Sequence, residues 1–243
     1  MTRFFVSAEE MQSSFLTLTG QNAAHAKVLR LKCGDEVLVC DGSGTECVCK
    51  ISDVNPEQIS LVVQSRGEST SEAKVRASIY MAFSKGDKLE HVIQKATELG
   101  AYEIVAFPSN RCVSRPDEKS LAKKVERWQK IAVSASEQSG RGRIPQVIAL
   151  GSYKDALERA AKADKAILFY ENERVSTLKM ALEGSAFASI SLMTGPEGGL
   201  DTSEVELAEK AGLQVCALGS RILRCETAPL CALSAVMYAV GEF

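Results

Sequence analysis

Imidazole is scarce in this 243-residue chain, and cysteine, though present eight times, is never spaced as CxxC. Only His25 and His91 can offer a ring nitrogen, and the thiols of Cys33, Cys40, Cys47, Cys49, Cys112, Cys216, Cys225 and Cys231 are scattered. That pattern argues against a zinc site or a disulfide framework and for reduced, mostly buried thiols. Long apolar runs are missing too: none reaches the roughly 20 residues needed to span a bilayer, so no membrane partner is expected. The opening Met1-Thr2-Arg3-Phe4-Phe5-Val6-Ser7 lacks the apolar core of a signal peptide, and a cytoplasmic location follows as an expectation. Nor is there a strong charge of either sign. A net charge of −2 argues against nonspecific polyanion binding by the whole surface, and DNA is not an expected partner. What remains is an ordinary globular composition, 45% hydrophobic and 25% charged, in a chain long enough for one large or two small domains.

Charge is nevertheless segregated. Between Ser109 and Pro145 stand nine basic residues, Arg111, Arg115, Lys119, Lys123, Lys124, Arg127, Lys130, Arg141 and Arg143, against four acidic ones. Two readings fit: a solvated helix face, or a track for a phosphate backbone.

The first seventy residues read as short strands, Val37 to Cys40, Glu46 to Ile51 and Ile59 to Gln64, broken by Asp41-Gly42-Ser43-Gly44. Such spacing predicts a small β-barrel over 1–70. The polar stretch 67–72 reads as a linker, and a second domain is expected over 74–243. There a strand at 75–83 leads into a helix with Leu89, Val92, Ile93, Ala96 and Leu99 on one stripe, stopped by Gly100. A strand at 102–107 and a longer helix opened by Pro116-Asp117 come next, the helix carrying the stripe Leu121, Val125, Trp128, Ala132 and Ala135 with its basic residues off it. The alternation continues to a last helix at 226–240. It predicts an α/β domain with a mostly parallel sheet covered on both faces.

Two glycine-bearing loops follow apolar strand-like runs near the end of the chain: Gly195-Pro196-Glu197-Gly198-Gly199, and Gly219-Ser220-Arg221-Ile222-Leu223-Arg224 before Cys225-Glu226-Thr227. In an open α/β sheet ligands bind beyond the carboxyl ends of the strands, so the loops point to one composite pocket. The first is neither GxGxxG nor GxxxxGK[ST], which weakens dinucleotide and P-loop readings. Glu197 would suit a ligand that carries positive charge. Arg221 and Arg224 place two guanidinium groups on the second loop, either for a ligand or for a structural ion pair of Arg224 with Glu197 or Glu226. The loop Gly140-Arg141-Gly142-Arg143 can bridge phosphates or be an ordinary exposed connection. His25 reads as a partly buried structural histidine, with RNA contact as the alternative.

Five separated stretches, Lys85 to Glu90 with Ile93 to Gly100, Arg111-Cys112 with Trp128 to Ala132, Glu137 to Arg141, Gly195 to Leu200, and Leu218 to Thr227, together resemble the RsmE family of bacterial 16S ribosomal RNA uridine-N3 methyltransferases, of the SPOUT class. The resemblance spans nearly the whole chain; Arg3-Phe4-Phe5 and Val28-Leu29-Arg30 resemble the family's PUA-like β-barrel. It implies a SPOUT-type domain with a deep trefoil knot, a homodimer packed through the knotted region, and S-adenosylmethionine as cofactor with no metal. Residues that would bind the cofactor are Leu168, Phe169 and Tyr170; Thr194, Gly195, Pro196, Glu197, Gly198 and Gly199; and Leu218, Gly219, Ser220, Ile222, Leu223, Arg224 and Thr227. Ser220 stands where the family commonly has proline. The implied product is 3-methyluridine at one position in the decoding region of 16S rRNA in the small ribosomal subunit. Arg224 would stabilise the uridine anion, and Glu197 or Glu226 would accept the proton. Arg3, Arg30, Arg111, Arg115, Arg141 and Arg143 would hold the RNA. A noncatalytic rRNA-binding assembly factor with the same fold is the alternative.

Overall fold

The structure, a computed structural model, describes residues 1–55, 57–184 and 186–243. Two compact units emerge: Met1–Glu72 with Ser136–Ile144, and Ala73–Ala135 with Pro145–Phe243.

In the first unit, β1 (Thr2–Phe5), β2 (Phe15–Thr19), β3 (Glu36–Cys40), β4 (Thr45–Val54) and β5 (Gln58–Glu68) form one five-stranded sheet in the order β1-β3-β4-β5-β2. β1 runs parallel to β3, and the other pairs are antiparallel. Period-two alternation sends Val37, Val39, Cys47, Cys49, Ile51, Ile59 and Leu61 to one side, where they meet Phe4, Leu16 and Leu18 in a single core. Two register shifts between β4 and β5 bend the long ribbon into a half-barrel. Helix α1 (Gly20–Val28) was not legible in the sequence, because only Ala23 and Ala26 are buried along it and no wide apolar stripe exists. His25 on α1 is exposed rather than partly buried, with its ring edge-to-face against Phe4 at 5.8 Å. Residues 67–72 carry more structure than an open connection: β5 runs to Glu68, and the Glu72 carboxylate takes hydrogen bonds from the loop that follows the long helix.

The second unit contains β6 (Arg76–Ala82), α2 (Lys88–Glu98), β7 (Glu103–Phe107), most of α3 (Glu118–Ser139), β8 (Gln146–Ala149), α4 (Tyr153–Ala160), β9 (Lys165–Phe169), α5 (Leu178–Leu182), β10 (Ser189–Thr194), α6 (Thr202–Lys210), β11 (Gln214–Cys216) and α7 (Thr227–Ala239). All six strands are parallel, in the order β11-β9-β10-β6-β7-β8. Ile190 to Thr194 of β10 are buried without a break, as expected of a central strand covered on both faces. Helix α2 buries Leu89, Val92, Ile93 and Ala96 and ends on Gly100 at φ +90°, with Ala101 N–H donating back to Ala96 O at 2.9 Å. On α3, Trp128, Ala132 and Ala135 are buried, while Lys119, Lys123, Lys124, Arg127 and Lys130 are exposed as the stripe predicts. β8 and α5 are additions to the sequence reading, at four and five residues too short for periodicity to reveal.

Candidate active site

The chain lays β6, β7 and β8 to one side, then returns to place β9, β10 and β11 on the other. The reversal lies between β6 and β10, and the loops leaving the carboxyl ends of β9, β10 and β11 wall a cavity of about 530 Å³. Residues 169–171, 194–199 and 218–225 line it, with Lys88, Arg174 and Ala228. Of the cofactor residues expected from the sequence, Phe169, Tyr170, the six from Thr194 to Gly199, and Leu218, Gly219, Ser220, Ile222, Leu223 and Arg224 all border this space. Leu168 is fully buried within β9, and Thr227 is exposed as the first residue of α7; neither lines the cavity.

Local chemistry fixes each wall. Glu173 accepts from the backbone N–H groups of Arg174, Val175 and Ser176, which orders the loop after β9 and depresses the Glu173 carboxyl. Ala217 N–H donates to Ser176 O at 2.8 Å and ties that loop to the exit of β11. The loop after β10 ends in the capping box of α6, where Glu204 N–H donates to Asp201 Oδ1 at 2.9 Å and Asp201 N–H donates to Glu204 Oε2 at 3.0 Å. The same carboxylates receive Asn110, its amide on Glu204 Oε1 at 2.7 Å and its side chain on Asp201 Oδ2 at 2.7 Å. Arg111 is thereby carried to Gly198, whose carbonyl accepts from Arg111 Nη1 at 3.2 Å. At the third wall, the Arg224 carbonyl accepts from Thr227 and Ala228 at 2.9 and 3.0 Å, pinning Arg224 to the first turn of α7 while its side chain stays exposed.

Charge concentrates where α2 begins. Glu197 Oε1 accepts from Lys85 N–H at 3.0 Å and from Lys88 Nζ at 3.1 Å; Lys88 Nζ is also 3.7 Å from Glu226 Oε2. Cys225 Sγ donates to that Glu226 oxygen at 3.2 Å. Burial alone would raise the Glu197 carboxyl, but the Lys85 amide, its own amide and Lys88 outweigh it and hold the group below the ordinary carboxylate value. Glu226 is lowered as well, chiefly by its own amide. Burial pushes the Cys225 thiol up to about 12, so at neutral pH it is a hydrogen-bond donor and not a thiolate nucleophile. Lys88, Glu171 and Arg174 escaped the sequence reading. Lys88 had a signal, since it follows the strand-to-helix turn of β6 as the glycine loops follow β10 and β11.

The expected RNA contacts separate into distinct environments. Arg111 and Arg115 are exposed in the second unit, Arg115 Nη2 donating to the carbonyls of Ser109 and Asn110 at 2.8 and 2.9 Å. Arg30 is exposed in the first unit and is the sole non-glycine residue at positive φ among those described, at +57°. Arg3, with a side chain 10% exposed, pairs with Glu46 at 2.9 Å, and Arg143 is half-buried against Gly44. Arg141 is 4% exposed and paired with Glu72 at 2.6 Å, so its guanidinium is engaged within the unit rather than presented at its surface. Among the described residues no cluster of His, Cys, Asp and Glu has the makings of a metal site, and no helix is long and apolar enough to cross a membrane.

A family model described as an RNA methyltransferase domain matches residues 71–237, and one described as an RNA methyltransferase PUA domain matches residues 18–64. The ribosomal RNA small subunit methyltransferase E of Bacillus subtilis (strain 168) is 37% identical over 98% of this chain and 96% of its own. The protein of that name from Mesomycoplasma hyopneumoniae (strain 232) is 33% identical over 95% of this chain and 96% of its own. Among solved structures, a ribosomal RNA small subunit methyltransferase E from Neisseria gonorrhoeae bound to S-adenosyl methionine is similar with a TM-score of 0.88 and 30% identity, over 100% of this chain and 99% of that one.

Proposed function

Because the chain belongs to the RNA methyltransferase family of the ribosomal RNA small subunit methyltransferases E, we propose that it transfers a methyl group from S-adenosylmethionine to N3 of one uridine in 16S rRNA, forming 3-methyluridine in the small ribosomal subunit. The observation that carries this reading is the cavity itself. Three loops from the carboxyl ends of adjacent parallel strands enclose about 530 Å³, within the range of cofactor sites, and Glu171 and Glu197 offer it carboxylates. Backbone at Gly195, Gly198 and Gly219 can approach a ligand closely, and anionic side chains fit a cofactor that carries a sulfonium cation. When bound, that cofactor supplies an electrophilic methyl group.

The chain's own residues do the rest. The loops hold the methyl carbon in line with N3, which supplies much of the rate through orientation. Uridine N3 normally carries a proton and lies on the pairing edge, so the base is taken unpaired or flipped into the site. Arg224, exposed at the rim, stabilises the negative charge that develops on the base oxygens. One of the carboxylates near Lys88, Glu197 or Glu226, accepts the proton. Arg111 beside the cavity, the exposed Arg115, the exposed basic face of α3, and Arg30 in the PUA-like unit hold the RNA through its phosphates.

The insertion of β10 between β9 and β6 supports a deep trefoil knot in the second unit. Helix α7 is apolar nearly all round yet leaves Cys231 and Tyr238 exposed, which supports a homodimer closed through it. A ribosomal substrate supports a cytoplasmic location.

The test is nucleoside mass spectrometry of small subunits from cells lacking the modification, after incubation with the protein and S-adenosylmethionine. Appearance of 3-methyluridine at one site is the expected result. Cofactor binding with another methylated nucleoside overturns the uridine-N3 assignment, and RNA binding with no methylation points to an assembly factor.

A further inference from the structure

Lys88 is the first residue of α2, where the aligned peptide dipoles disfavour a cation. Its ammonium nonetheless sits between two carboxylates from different elements: Glu197 on the loop after β10, at 3.1 Å, and Glu226 at the entry to α7, at 3.7 Å. The two carboxylates are not equivalent. Glu197 lines the cavity, where the Lys85 amide and Lys88 hold its carboxylate by Oε1. Glu226 lies outside the cavity lining, and its Oε2 already takes the Cys225 thiol.

We propose that Glu197 is the proton acceptor of the methyl transfer and that Lys88 is a positioning residue, anchored from behind by Glu226, which fixes the Glu197 carboxylate in the cavity and keeps it ionised. This rests on the methyltransferase reading above. The Glu197 carboxylate takes the proton that N3 gives up as N3 bonds to the methyl carbon, while the carbon–sulfur electron pair stays on sulfur. Glu197 ends as a neutral acid and returns its proton to water when product leaves. Lys88 on α2 faces Glu197 directly, with Cys225 and Glu226 before α7 against Lys88 and Arg224 acting on Glu226; Arg111 reaches Gly198, and Glu171, Arg174 and Arg221 share the cavity lining.

The test compares Glu197→Gln, Glu226→Gln, Lys88→Met and Lys88→Arg with the unaltered protein, by kcat against pH on small subunits and by calorimetry with S-adenosylhomocysteine. Glu197→Gln loses about 100-fold or more in kcat, the usual weight of a positioned base, and keeps its calorimetric affinity within about threefold. Glu226→Gln loses about tenfold or less in kcat, a residue outside the cavity acting only through Lys88. In Lys88→Met, Glu197 loses the ammonium that holds its carboxyl low, so the acid-side fall of kcat begins at a higher pH than in the unaltered enzyme; Lys88→Arg restores the parent profile. An unmoved pH profile in Lys88→Met, or a loss in Glu226→Gln as large as in Glu197→Gln with calorimetric affinity intact, overturns the assignment. Absence of methylation by the unaltered protein would instead overturn the methyltransferase reading.

Discussion

Arg141 Nη2 lies 2.6 Å from Glu72 Oε2, and Oε1 of the same carboxylate accepts the backbone N–H groups of Gly142 and Arg143 at 2.9 and 3.0 Å. One acidic side chain before β6 therefore holds a whole loop that arrives nearly seventy residues later. Removing one partner of a buried pair leaves the other uncompensated, and Arg141→Ala is expected to cost about 3 kcal/mol of stability. Urea unfolding measures it, and the variant's affinity for the cofactor in the second unit should stay unchanged. A variant as stable as the parent would return Arg141 to the surface and to RNA.

Gly199 sits at φ +69°, and a Cβ added there would lie 2.2 Å from Glu171 Oε1. Gly199→Ala meets both the left-handed backbone penalty of roughly 1–2 kcal/mol and a carboxylate that must move away from the cavity. Calorimetry with S-adenosylhomocysteine should show at least a ~10-fold loss of affinity, the equivalent of about 1.4 kcal/mol. Unchanged affinity would mean that the loop after β10 does not shape the cofactor site.

Arg224→Ala should keep the fold, since the side chain is exposed and the backbone carbonyl that caps α7 is retained. Turnover should fall by about 100-fold or more, as when one donor to a developing anion is removed. Circular dichroism checks the first half and single-turnover methylation the second. Normal methylation would remove Arg224 from the mechanism.

Asp201 is depressed to about 2 by its hydrogen bonds to Ser203, Asn110 and the Glu204 amide, against roughly 3.9 in an unfolded chain. A carboxyl lowered on folding adds stability that is complete above the unfolded value and is lost as pH falls through the folded one. The gap in melting temperature between the parent and Asp201→Ala should therefore be full at pH 6 and close between about pH 4 and 2. A gap independent of pH would show that the capping carboxylate is not what the substitution removes.

The alternation of strands and helices in the second unit was legible because each long element repeats its apolar residues with its own period, as Leu89, Val92, Ile93 and Ala96 do on α2. Two walls of the cavity, after β10 and β11, were legible for a related reason: glycine-bearing segments directly after buried strands leave few other uses for the backbone there, whereas the wall after β9 holds no glycine and was indicated only by the family resemblance. α1 was invisible because its buried face is only Ala23 and Ala26, and β8 because four residues after a proline establish no period. Lys88 and Arg141 mark the deeper limit. A cation's chemistry depends on which carboxylate meets it, and Glu197 lies 109 residues from Lys88 while Glu72 lies 69 from Arg141. Composition therefore gave a phosphate bridge and an ordinary exposed loop equal standing for Arg141, and three-dimensional placement pairs its buried guanidinium with Glu72 instead.

The first unit is discontinuous in sequence, since Ser136–Ile144 completes it after the chain has already built β6, α2 and β7 of the second. Synthesis from the amino terminus thus delivers the half-barrel strands long before Arg141 exists to neutralise Glu72 and before Ile144 can donate to Gly42 O at 2.9 Å. The half-barrel's core lies wholly within residues 4–63 and can form early in the usual vectorial order, but the unit is complete only once Ser136–Ile144 has been made. What waits is Glu72, whose partners Arg141 and Gly142 arrive on a segment emerging from the middle of the second unit.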